Sequence, residues 1–159
     1  MSIPSHLSSY LDQRGAHYEI STHARSHSSL ETARCANVSL GKLAKSVILE
    51  DERGCVMAVV PADRMVMLGE FSRFVGRHRL KLAGEARIAA LFGDCAPGAI
   101  PPVGMAWGVP TIVDDELESN DVVYMEGGDH EQLLQMSHAE FRALMRAQPH
   151  GSFSKAPVH

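Results

Sequence analysis

Few side chains in this sequence stand where chemistry would want them, and Lys45 is the first. In LAKSVILE it lies two residues before Val47 and four before Leu49. On a strand those positions share one face, so an ammonium is set among side chains that ought to point into a core. Either its stem covers the core while the head reaches water at the strand end, or the ammonium lines a pocket and pairs with an anionic ligand. Left buried and unpaired it would be strongly penalised or driven neutral. His130 follows Gly127 and Gly128 in MEGGDHEQLLQM, between two predicted strands, where a solvated loop histidine competes with one that borders a site. His23 and His27 have the i, i+4 spacing of a metal-binding pair. They lie in a polar stretch with no predicted helix and no evident third ligand. Asp114 and Asp115 open an acidic stretch, but adjacent strand residues face opposite ways, so a solvated turn suits them better than paired catalysis.

The stretch GDCAPGAIPPVG, residues 93–104, carries no charge after Asp94. Pro101 and Pro102 fix two φ angles and remove two donors, while Gly98 and Gly104 permit close backbone approach, so neither regular helix nor central strand fits. It is either a plain connection or a rigid loop whose amides are aimed at something. GxSxG, P-loop, HExxH and Rossmann fingerprints are all missing from the sequence, which leaves no known nucleophile motif.

These residues must be held by a chain of 159 residues, 45% of them hydrophobic, the size of one domain able to bury its own core. A single domain over residues 1–151 and a loosely held tail over residues 152–159 are expected. No apolar run approaches a membrane span and the N-terminus lacks the pattern of a signal peptide, so a cytoplasmic protein without membrane partners is expected. Cys35, Cys55 and Cys95 form no CxxC pair and read as free thiols or small apolar residues. The net charge of −4 hides an asymmetry. Residues 1–90 carry 12 Lys or Arg against 9 Asp or Glu, residues 91–159 only 3 against 10. Within the basic half Arg73, Arg77, Arg79 and Lys81 form a stretch that either tracks a phosphate backbone or is a solvated face.

HLSSYLDQRG predicts a short amphipathic helix ending at Gly15, and HYEI a strand. Ser28 with Glu31 three positions on is a capping box, which predicts a helix over 29–36. AKSVILE and CVMAVVP flank DERG as a β-hairpin. LGEFSRFVGR and GEARIAALFGD read as helices, VPTIVDDEL, NDVVYMEGG and QLLQM as strands, and SHAEFRALMRA as a final helix capped by Ser137 and Glu140. Mixed elements without strict alternation predict an α/β single domain with a mixed, partly curled sheet covered by helices.

In series, ETARCANVSLGKLAKSVIL with Lys45, the GAIPPVG loop with its Gly98-x-x-x-Pro102 spacing, VDDEL, and GGDH with His130 resemble the YbaK family, also called the prolyl-tRNA synthetase-associated or aminoacyl-tRNA deacylase domain. The likeness runs from about Tyr18 to Met145. It implies a barrel-like mixed sheet surrounded by helices, and hydrolysis in trans of the ester joining a wrong amino acid to tRNA, without metal, cofactor or covalent intermediate. By that resemblance Lys45 holds the 3′ end of the tRNA near its terminal adenosine. The loop residues Gly98, Ala99, Ile100, Pro101 and Pro102 present backbone amides beside the scissile carbonyl. The attacking water is activated largely by the substrate's own free ribose hydroxyl and backbone groups. His130 borders the amino-acid pocket with Ser46, Gly128 and residues 26–30 as further candidates, and a small side chain such as alanine on tRNA for proline is favoured. The partners so implied are the acceptor end of an aminoacyl-tRNA and prolyl-tRNA synthetase, with the chain acting as a freestanding editor. The competing readings are a binding module of the same fold, taking a tRNA end, a nucleotide or a protein without hydrolysis, and a metal-dependent hydrolase built on His23, His27 or the acidic stretch.

Overall fold

The structure is a computed structural model that describes residues 3–157. Among the described residues the α-helices are α1 (Ser5–Gln13), α2 (Ser29–Ala36), α3 (Leu68–Val75), α4 (Glu85–Leu91) and α5 (His138–Leu144). Ten strands are β1 (Glu19–Thr22), β2 (Leu43–Asp51), β3 (Gly54–Pro61), β4 (Met65–Val66), β5 (Lys81–Leu82), β6 (Thr111–Asp114), β7 (Val122–Glu126), β8 (Gln132–Ser137), β9 (His150–Gly151) and β10 (Ser154–Lys155). The main sheet runs β1-β8-β7-β2-β3-β6-β9, with β5 on the margin of β2 and β10 paired to β4 apart from it. Pairing is mixed: β2–β3, β7–β8 and β1–β8 are antiparallel, whereas β2–β7, β3–β6 and β6–β9 are parallel. This is the expected mixed α/β domain with helices around one large sheet.

Local chemistry explains the elements that site residues hang from. Register pairs Asp51 with Gly54 across the β2–β3 turn, and Gly54 takes φ 128°, a conformation open to glycine. Ser28 accepts from the Glu31 amide to start α2, and Asn37 closes it in the left-handed conformation. Ser137 caps α5 in the same way from the Glu140 amide.

The sheet divides the apolar interior. Leu7 and Leu11 of α1, Phe92, and Phe141 and Leu144 of α5 pack with Ala44, Ile48 and Met57 into the larger core. Phe71 of α3, Leu80 and Phe153 join Leu49, Val56, Val60 and Ile112 in the other.

Three expectations are corrected here. The tail expected from residue 152 is tied in as far as Lys155. Phe153 is fully buried with its ring edge-on to Phe71 at 4.9 Å, its carbonyl accepts from the Met67 amide at 2.7 Å, and β10 follows. Apolar burial outweighs the polar, glycine-bearing composition that suggested looseness; residues 158 and 159 lie outside the described residues. The strand expected through VDDEL stops at Asp114, and Asp115–Ser119 is a 3-10 helix. Asp114 is buried, not solvated, because its carboxylate accepts from the Glu116 and Phe153 amides.

The basic stretch divides by partner. Arg77 Nε donates to Asp51 at 2.8 Å, and its Nη2 reaches Asp51 and the Gly54 carbonyl, so this guanidinium closes the β2–β3 turn. With its side chain 12% exposed, Arg77 is taken out of the surface expected to meet tRNA. Arg73 pairs with Glu70 one helical turn away, Lys81 stands 4.0 Å from Glu50, and Arg79 is exposed. The Arg77 guanidinium holds the Asp51 carboxyl at about 2, below its ordinary 3.8. A depressed carboxyl stabilises the fold above its unfolded value, and the stability is lost as pH falls from 3.8 towards 2. Acid titration of thermal stability should therefore be flatter across that window for Asp51→Asn than for the native chain; equal slopes would remove the pair from the stability of the turn.

Candidate functional site

Lys45 lies on β2, where register places Ala44 beside Met125 of the parallel strand β7. One step beyond that last pair come Lys45 and Glu126, both of which line a cavity of about 130 Å³ with Ser29, Ser46, Ile48, Ile88, Gly98 and Ile100. The cavity is thus walled by α2, β2, α4, the end of β7 and the proline-bearing loop. Lys45 is partly buried, and desolvation pushes its ammonium below the ordinary lysine value, with Asp63 opposing. Its Nζ donates to the Arg64 carbonyl at 3.4 Å. That single long bond leaves donor capacity for an anion.

The loop is held from several sides. At its entrance the Asp94 carboxylate accepts from Trp107 Nε1 at 2.9 Å and pairs with His6 Nδ1 at 2.8 Å, and these contacts keep its carboxyl below the usual range despite partial burial. The Ala96 amide donates to the Gly128 carbonyl at 2.7 Å. Further on, Ser46 Oγ donates to the Ile100 carbonyl at 2.9 Å. Gly98 is exposed at φ 80°, and a Cβ there would meet His130 Cε1 at 3.4 Å. The Ala99 amide donates to the Ala96 carbonyl, whereas the Gly98 and Ile100 amides have no partner among the described residues. Pro101 and Pro102 are buried and have no amide to offer. An amide cradle in this loop therefore narrows from five residues to Gly98 and Ile100, the same two that line the cavity.

His130 and Gly128 stand behind the loop instead of in the cavity lining. His130 is 5% exposed at φ 64°, and its Nε2 hydrogen-bonds the Pro97 carbonyl while Nδ1 is buried without a partner. Its own carbonyl accepts from the Ser26 amide, which joins the segment before α2 to the same unit. Gly128, at φ 100°, has Pro4 against it at 2.8 Å from where a Cβ would sit, so the substrate contact expected of it becomes a loop-packing role. Of residues 26–30, Ser29 reaches the cavity, while Ser26 is buried against Thr32 at 2.6 Å.

Sequence reasoning missed Glu126. It is 3% exposed, both carboxylate oxygens lack partners, and burial pushes its carboxyl above the usual range. Its position at the end of the apolar run VVYM is the one signal that its side chain faces inward. Burial likewise pushes the Cys95 thiol up to about 12, which makes it a poor nucleophile. Among the described residues no three His, Cys, Asp or Glu side chains are grouped to hold a metal ion, and no helix is long and apolar enough to cross a membrane.

A proline–tRNA ligase from Xanthomonas oryzae pv. oryzae (strain MAFF 311018) is 31% identical over 87 residues, a segment that is 55% of this chain but 15% of that ligase. The crystal structure of a candidate trans-editing enzyme for prolyl tRNA synthetase superimposes with TM-score 0.79 at 26% identity, covering 95% of this chain and 96% of the other. Hypothetical protein APE2540 shares the fold at TM-score 0.82 and 24% identity, over 95% of this chain and all of the other. The family model for the aminoacyl-tRNA editing domain matches residues 23–144, which span Lys45, the loop, Glu126 and His130. The chain belongs to the aminoacyl-tRNA editing domain family.

Proposed function

We propose that this protein hydrolyses, in trans, the ester of a mischarged aminoacyl-tRNA, with alanine on tRNA for proline as its first candidate substrate. The observation that carries the reading is that one small cavity is lined by a cation with spare donors, Lys45, and by Gly98 and Ile100, the loop residues whose amides have no partner among the described residues. The ammonium suits the phosphate and ribose of the terminal adenosine. The amides suit the carbonyl oxygen, where charge develops as water adds; preorganised donors of this kind are worth about 3 kcal/mol each. Water attacks the carbonyl carbon, the ester C–O bond breaks, and the proton lost by water ends on the ribose oxygen of the tRNA. By the family resemblance, the substrate's neighbouring ribose hydroxyl activates the water. Prolyl-tRNA synthetase is the proposed protein partner, and the cytoplasm, where charged tRNA is found, the proposed location.

Incubation of purified protein with a panel of mischarged tRNAs tests the reading. Release of free amino acid that survives a chelator is expected, with alanine on tRNA for proline among the substrates. Tight binding of uncharged tRNA with an intact panel would replace the enzyme by a binding module of this fold. Gly98→Ala should lower turnover by about tenfold or more while the protein stays folded, because a side chain at φ 80° is strained and displaces an amide from the cavity. A variant that loses a little stability and keeps full turnover would return the loop to a plain connection. For the outer surface, reversing Arg79 and Lys81 to Glu is expected to weaken tRNA binding and flatten its salt dependence by about one unit of slope per lost phosphate contact. Unchanged affinity would make them a solvated face.

A further inference from the structure

Glu126 has no role in the reading above, and its surroundings are unusual. A carboxylate 3% exposed with both oxygens unpartnered is costly to keep in a folded protein. The Thr32 hydroxyl is close enough to favour the ionised form, as are the His130 and His23 side chains, but its one proton serves either Glu126 or Ser26, so most of the carboxylate's acceptor capacity is left over. Lys45 makes no ion pair with Glu126, although both line the cavity, and Nζ turns to the Arg64 carbonyl instead. The cavity therefore carries a cation and an acidic group that do not neutralise each other.

Resting on the deacylase reading, the positions of the other groups decide what Glu126 would meet. With the terminal adenosine at Lys45 and the carbonyl at the Gly98 and Ile100 amides, the substituents of the α-carbon, one bond from that carbonyl, fall to the remaining lining. That lining is Ser29, Ser46, Ile48, Ile88 and Glu126, and the Ser46 hydroxyl already donates to the Ile100 carbonyl. The isoleucines can take only apolar atoms. The α-ammonium, or a hydroxyl on the side chain, brings a donor into a space where an unpaired donor would be penalised. We infer that Glu126 is a specificity-determining acceptor, which takes a hydrogen bond from an N–H or O–H donor on the bound aminoacyl group. This explains why an unsatisfied carboxylate is retained in the wall: its partner arrives with the substrate.

Binding without hydrolysis tests this. Acceptor-stem RNA ending in 3′-amino-3′-deoxyadenosine is prepared with alanyl, seryl and N-acetylalanyl groups in amide linkage, and without any acyl group. Each is titrated into the native protein and into Glu126→Gln, which removes the charge, and Glu126→Met, which removes the acceptor at similar length. Thermal melts check folding, and Glu126→Met is expected to be at least as stable as the native chain because it removes an orphaned polar group. The expected result is that acylation tightens binding to the native protein and that Glu126→Met loses about 10- to 100-fold for acylated RNA only, the range of a charge-assisted hydrogen bond. If alanyl and seryl RNA lose affinity alike and N-acetylalanyl RNA binds the native protein poorly, the donor is the α-ammonium; loss confined to seryl RNA assigns the side-chain hydroxyl. Equal binding of every acylated RNA to folded native and variant proteins overturns the inference, as does binding indifferent to acylation. So does a variant that keeps acyl binding yet loses turnover of mischarged tRNA, since that would make Glu126 a base for water. If mischarged tRNA survives the native protein, the deacylase reading fails by itself, and these titrations still decide Glu126.

Discussion

Replacing Lys45 by methionine is expected to lower kcat/KM for a mischarged tRNA by about 10- to 150-fold, the equivalent of one charge-assisted hydrogen bond to phosphate. Methionine keeps an unbranched stem and deletes the ammonium, so the loss is electrostatic and not a cavity effect. Because burial disfavours the charged form of Lys45, the same variant should melt at or above the native temperature. The two readouts move in opposite directions only if the lysine is kept for a ligand. If Lys45 merely covers the core, activity is unchanged, because the methionine stem covers it as well. Steady-state deacylation with a melting curve on the same preparation separates the cases.

The second large effect concerns a residue far from the cavity in sequence. Phe153→Ala should cost about 3 to 5 kcal/mol, the usual range for deleting a fully buried phenylalanine, and that is a large share of the stability of a domain this size. Phe153 fills the core between Phe71 and Phe74 and leads into β10. From there the effect reaches the site. Ser154 holds Arg64 through its hydroxyl and its carbonyl, both at 2.8 Å, and the carbonyl of that arginine is the partner of Lys45. Activity measured at a temperature where the variant is still folded should therefore also fall. Denaturant unfolding of the native chain and the variant checks the first part; a change under about 1 kcal/mol would return this segment to the loose tail its composition suggests.

What could be read from the residues alone follows the range of the physics involved. The serine caps at Ser28 and Ser137 are made within one turn, so α2 begins at Ser29 and α5 at His138 as their local chemistry requires, although Glu31 turns to the His27 amide and Glu140 to His17 instead of closing the box. The β2–β3 hairpin was legible for the same reason: a polar turn between two apolar runs. Strands of two residues such as β4, β9 and β10 hold no periodic signal and exist because distant segments pair with them. Asp114 and Glu126 mislead in one way, since a carboxylate at a strand end is expected to reach water, and only tertiary packing buries it. Lys45 was conspicuous because it broke an apolar face. His130 stood out for its glycine neighbours, but its left-handed backbone and its hold on Pro97 depend on a loop more than thirty residues away.

The bond from Trp107 to Asp94 has a practical consequence. The chain contains a single tryptophan, and its indole N–H is fixed at 2.9 Å to the residue that opens the loop over the cavity. Emission from this protein is therefore a one-site optical signal, free of overlap from other indoles and already placed where the loop would respond to an occupant. A stopped-flow trace recorded as acylated RNA is mixed in would time the arrival of the RNA at the loop against the release of amino acid, with no label added and no residue changed.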